Sequence, residues 1–168
     1  MRRGLAALGS AVFFVLAPGM VGGLAPWWIS RRGADSIALG WPLRSLGVLL
    51  IAAGAAVLLD SFARFAWQGL GTPAPVFPTR RLVVTGLYRY VRNPMYVAVV
   101  AVILGQSLLL GSPRVLGYGA LVWLAFHLFV VAYEEPALRA AYADEYKRFC
   151  ANVPRWIPRL SPWRPPQV

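Results

Sequence analysis

Two adjacent carboxylates, Glu134 and Glu135, follow directly on the uncharged run 115–133, in a chain with only six acidic residues. If that run is a membrane helix, the pair sits at its C-terminal end. The backbone dipole makes that end partly negative, so two carboxylates there are electrostatically unfavourable and also repel each other. Two readings stay open. The pair is neutralised by arginines such as Arg89, Arg92 or Arg139, or it grips a cationic or hydroxyl-rich ligand.

A second set of residues has the opposite sign. Arg89 and Arg92 precede Asn93-Pro94, where another apolar run begins. Asn is a good N-cap and Pro suits the first helical position. A helix N-terminus favours anions and nearby guanidiniums strengthen that preference; the plainer reading is basic anchoring at a membrane surface. Tyr88, Tyr90 and Tyr96 cluster around these arginines. Gln106 and His127 lie deep in apolar runs, where a polar group serves either function or helix-to-helix hydrogen bonding. Asp60 and Arg64 are spaced to pair along a helix. The single histidine and single cysteine, Cys150, exclude a His-based zinc site, a CxxC site and an intrachain disulfide. Gly69-Leu70-Gly71 lacks the third glycine of a dinucleotide fingerprint.

Elements that must position these groups are legible from composition. The chain is 58% hydrophobic and 14% charged with a net charge of +11, and its mean hydropathy is +0.58. Soluble domains carry about a quarter charged residues. The charge alone would suit nucleic acid, but nucleic-acid binding leaves the apolar bulk unexplained. A membrane helix needs about 20 mostly apolar residues. Runs near 4–30, 42–62, 93–113 and 115–133 meet that requirement. The first is longer than the ~7–15 residues of a secretory signal core, so it is read as a span. With the N-terminus inside, 13 of the 17 basic residues fall on the cytoplasmic side and four (Arg31, Arg32, Arg44 and Arg114) on the other. The expectation is one integral-membrane domain over 1–168, all-α, of about four transmembrane helices. Both termini are cytoplasmic, in what the Arg- and Ala-rich usage suggests is a bacterial inner membrane.

The polar segments 64–92 and 134–160 then share the cytoplasmic face. Pro73, Pro75 and Pro78 force an extended path. Residues 137–151 have helical propensity, with Leu138, Tyr142, Tyr146 and Phe149 along one stripe. Residues 153–158 are extended by their prolines, and the Pro-rich end beyond is expected to fray. The turn at Ser112-Pro113 makes the third and fourth spans antiparallel neighbours, so the arginine and carboxylate sets can converge.

Together these residues resemble a known family. Gly86-Leu87-Tyr88-Arg89-Tyr90-Val91-Arg92-Asn93-Pro94-Met95-Tyr96 is similar to the GxYxxxR[HN]PxY motif of the isoprenylcysteine carboxyl methyltransferase and phospholipid methyltransferase superfamily. Glu134-Glu135, Leu138, Tyr142-Ala143-Asp144-Glu145-Tyr146 and Val153-Pro154 resemble its EExxL…FGxxY…VP pattern, in the same order and spacing across residues 71–158. The resemblance implies an integral-membrane enzyme that takes S-adenosylmethionine without a Rossmann domain or a metal and methylates a lipophilic acceptor. Arg92 and Glu135 are then the expected catalytic pair. Tyr88, Arg89, Arg92, Asn93, Pro94 and Tyr96 are expected on one wall of the cofactor pocket, Glu134 and Glu135 on the other, and Tyr146, Val153 and Pro154 at its adenine end. Two departures stand out: Asn93 replaces the histidine of the eukaryotic prenylcysteine enzymes, and Tyr142-Ala143 replaces Phe-Gly. The competing readings are an NADPH-dependent membrane reductase of the sterol-reductase type and a non-catalytic membrane adaptor whose basic face binds anionic lipid.

Overall fold

The computed structural model describes residues 15–32, 36–68, 82 and 84–164. The Pro73–Pro78 segment, Arg80, Arg81, the start of the first span and the last four residues lie outside the described set. Among the described residues every regular element is helical, as the composition requires. Helix α1 comprises a π-helical part, Val15–Leu24, running into Ala25–Arg31. Helix α2 is Trp41–Gln68, α3 is Pro94–Leu110, and α4 is Pro113–Phe129. A π-turn over Val130–Glu134 leads without interruption into α5, Glu135–Asn152.

Two of these are long and apolar enough to cross a membrane, Trp41–Arg64 and the continuous Pro113–Asn152. Pro94–Leu110 is apolar but shorter, about 26 Å at 1.5 Å per residue. It stops three residues before the expected 113 because Gly111 turns left-handed at φ 61° and Ser112 caps the next helix. The helix that carries the expected span 115–133 does not end with it. The helix continues, so Glu134 and Glu135 are not at a negative helix terminus, and the dipole argument against them does not apply. Pro136 supplies the reason: a proline has no N–H and crowds the carbonyl four residues back. The wider π-turn ending at Glu134 absorbs that crowding, and the π-helical stretch around Pro18 repeats the device. From Pro113 to Tyr142, before the kink at Ala143, the helix is about 45 Å long, half as long again as a bilayer's hydrocarbon thickness. Its polar part, from Glu134 on, must project beyond the apolar layer.

Packing follows small residues. Helices α2 and α3 approach so closely that a Cβ on Gly47 would lie 2.6 Å from the Gly105 carbonyl, and one on Gly54 would lie 2.8 Å from that of Ala98. Small residues are what let apolar helices close without a hydrophobic drive. Leu58, Phe62, Ala98, Val99, Ile103, Val115 and Val122 form the core, while Leu49, Leu59, Leu121 and Leu128 face outward, each more than half exposed. An apolar exterior is the expected surface of a bilayer-embedded bundle. Gln106 is satisfied by the carbonyls of Gly22 and Val102, which is the helix-to-helix role.

Candidate functional site

One end of the bundle carries both motifs. Helix α2 reaches it with Asp60 and Arg64 paired at 2.8 Å, as their spacing predicts. Gly86 sits against that guanidinium at φ 56°, where a side chain would collide with it, and opens a 3-10 turn, Gly86–Arg89. The chain then passes through Val91 to Asn93 and enters α3 at Pro94. Asn93 occupies the cap position, but its side chain makes no capping bond; Nδ2 donates to the Arg155 carbonyl at 3.2 Å.

That bond belongs to a strap. Residues 153–163 run back along 89–93 in the opposite sense. The Arg92 amide donates to the Pro154 carbonyl, the Arg159 amide to Tyr90, and the Trp163 amide to Arg89, each at 2.9 Å. Arg89 Nε returns a bond to the Trp163 carbonyl at 2.8 Å. Below the strap, Tyr146, Phe149 and Val153 are buried with Leu82, Val84, Leu138, Tyr142, Cys150 and Trp163 around them. The aromatic stripe of α5 is therefore a packing face. Trp156 Nε1 donates to His127 Nδ1 at 3.2 Å, joining the strap to α4.

The two carboxylates differ sharply. Glu135 is 3% exposed and takes three guanidiniums. Arg155 binds it in a fork, Nε to Oε1 at 2.6 Å and Nη2 to Oε2 at 3.0 Å. Arg92 Nη1 reaches Oε1 at 3.0 Å, and Arg139 Nη2 reaches Oε2 at 3.1 Å. Burial works against the charged form, but the Arg155 hydrogen bond and the charges of Arg92, Arg155 and Arg139 outweigh it and hold the carboxyl below its usual range. Glu134 accepts from the Tyr96 hydroxyl at 2.9 Å. Burial first, and then the charge of Glu135, push its carboxyl upward against that hydrogen bond. Loss of solvent and the Glu134 charge push the Tyr88 phenol upward too, so Tyr88 stays a neutral hydroxyl beside the carboxylate.

The structure thus brings together Arg92, Glu135, Glu134 and Tyr96, with Tyr88 within electrostatic reach and Asn93 tied in through Arg155. Arg89 faces the strap, Tyr146 and Val153 lie in the packing cluster, and Pro154 contributes its carbonyl. Sequence reasoning missed Arg155, because nothing in a lone arginine after Val153-Pro154 announces a partner 20 residues upstream. It also set Cys150 aside, yet Arg92 Nη1 donates to its sulfur at 2.9 Å. Arg92 Nε is buried without a hydrogen-bond partner among the described residues.

The phospholipid methyltransferase family model matches residues 43–145, more than half the chain. The chain belongs to that family. A curated relative, the protein-S-isoprenylcysteine O-methyltransferase of Schizosaccharomyces pombe, is 35% identical over 80 residues, which is 47% of this chain and 34% of the relative. The match therefore spans about a third of that relative's length. Within this phospholipid methyltransferase family member, the matched region contains Arg92, Glu134 and Glu135, whereas Arg155 and the strap lie beyond it.

Proposed function

We propose that this methyltransferase-family protein transfers a methyl group from S-adenosylmethionine to a lipophilic acceptor at the cytoplasmic membrane face, with both termini on that side. The observation that carries the reading is the charge pattern at the paired motifs. A surplus of guanidinium around Glu135 stands next to Glu134, on which no cation among the described residues acts. A zwitterionic amino acid has the complementary pattern.

The donor set suits that group. Arg92 offers a buried N–H that lacks a partner among the described residues, matched to a carboxylate. Glu134 offers an acceptor for an ammonium or for ribose hydroxyls. The rings of Tyr88 and Tyr96 offer faces to a sulfonium, an attraction of about 0.5–2 kcal/mol. When bound, the cofactor supplies an electrophilic methyl. The chain's own part is alignment, because an in-line displacement depends on holding nucleophile and methyl carbon in register. Arg155, through Glu135 and Asn93, fixes the two motif segments against each other. A carboxylate or thiolate acceptor then needs no general base, whereas an amine needs one.

An apolar cleft of about 220 Å³ between α1, α2 and α3, lined by Pro18, Gly19, Ile51, Ala55 and Leu58, supports a lipophilic acceptor. The relative's name makes a prenylated cysteine carboxylate the first acceptor to try, and a phospholipid amine the second. The test is direct. The purified chain in detergent should bind S-adenosylhomocysteine, and labelled methyl should pass from S-adenosylmethionine into a total lipid extract. No binding at millimolar cofactor sinks the reading.

A further inference from the structure

The opposite end of the bundle gathers four arginines that methyl transfer does not use. Arg31 and Arg32 close α1, Arg44 lies in the first turn of α2, and Arg114 lies in the first turn of α4. The segments are tied together: the Ile37 amide donates to the Gly111 carbonyl at 2.7 Å, and Arg114 Nη1 donates to the Arg32 carbonyl at 3.4 Å. All four side chains are exposed. Asp35 is the one acid in this stretch of sequence and lies outside the described residues; even counted in full it leaves a surplus of positive charge.

Two of the four stand where helix electrostatics opposes them. Arg44 and Arg114 occupy helix N-termini, which are already partly positive. An anion beside Arg44 offsets that cost. The other two are pre-shaped. The Arg31 Cζ lies 4.2 Å from the Trp27 ring centroid and the Arg32 Cζ lies 3.5 Å from that of Trp28. Stacking fixes each guanidinium plane and leaves its N–H edge for an oxyanion. Trp27 and Trp28 are nearly half exposed and Trp41 is 78% exposed, which suits the level of lipid headgroups.

We infer that this face is a docking surface for anionic phospholipids. The phosphate oxygens sit on the arginines, and the acyl chains lie along the exposed apolar side chains Leu43 and Leu46 of α2. The surrounding indoles and apolar residues favour a lipid over a soluble phosphate.

The experiment is native mass spectrometry of the full chain, released from detergent with equal phosphatidylglycerol and phosphatidylcholine. The wild type should retain phosphatidylglycerol preferentially. Each Arg→Gln change at this end should lower the ratio about fivefold, the weight of one basic residue at an anionic surface, and R31Q/R32Q/R44Q/R114Q should abolish the preference. K147Q/R148Q, which removes two exposed cations elsewhere, should leave it intact, as should excess inorganic phosphate. An unchanged ratio in the quadruple variant, an equal loss in K147Q/R148Q, or full competition by inorganic phosphate overturns the proposal. R44Q alone, at an exposed side chain, gives the same decision if the quadruple variant does not fold.

Discussion

Neighbouring glutamates with opposite surroundings make separable predictions. Glu135→Gln strips the shared partner from three guanidiniums and should cost about 3–5 kcal/mol, the usual penalty for breaking a buried pair. Glu134→Gln removes no ion pair among the described residues, so thermal unfolding in detergent should shift little. Its S-adenosylhomocysteine affinity should nevertheless fall about tenfold to a hundredfold, as for one lost charged hydrogen bond. A variant that keeps full affinity would remove Glu134 from the site. The pH dependence follows from Glu135. Its folded value is depressed, so its contribution is complete above the ordinary carboxylate range and is lost as pH falls through the folded value. Melting temperature should therefore drop in acid for the wild type and less so for Glu135→Gln. For Arg155, Lys retains the charge and loses the fork. Arg155→Ala should destabilise by about 2 kcal/mol, less than a fully buried pair because the side chain is 31% exposed, and Arg155→Lys should recover part of that.

Among the elements, α5 carries a measurable strain. Ala143 has φ 38° and ψ −112° inside an otherwise helical run, a region that favours glycine. The related pattern has Phe-Gly where this chain has Tyr142-Ala143, so the departure noted in the sequence falls on the one non-glycine residue of positive φ among the described residues. Ala143→Gly should raise stability by about 1 kcal/mol, since relief of strain of about 1–3 kcal/mol outweighs the added chain entropy. A lower melting temperature in that variant would show that the kink is unstrained. The π-turn at Pro136 was not legible either. The sequence showed an apolar run giving way to charge, and that pattern cannot distinguish a helix that ends from one that leaves the membrane and continues.

At the scale of the whole molecule, the alternation of four helices places both motifs at one end and the four remaining arginines at the other. Reporter fusions should then find residue 168 cytoplasmic and residue 112 on the opposite side. An alkaline phosphatase fused at 112 should be active and one fused at 168 silent; the reverse pattern would invert the orientation.

The sequence by itself determined the helical class, the apolar exterior and the membership of both motifs in one family, because periodicity, hydropathy and motif spacing are local or ordered along the chain. It also identified Arg92, Tyr96, Glu134 and Glu135 as residues to watch. Tertiary structure decided which glutamate is neutralised, that Arg155 grips it in a fork beside Arg92 and Arg139, and that the terminal strap joins 89–93 to α4. Those outcomes depend on pairs 20 to 74 residues apart. Ion pairing is set by distance in space, and the two carboxylates, adjacent in sequence, project from the helix about 100° apart, into different surroundings.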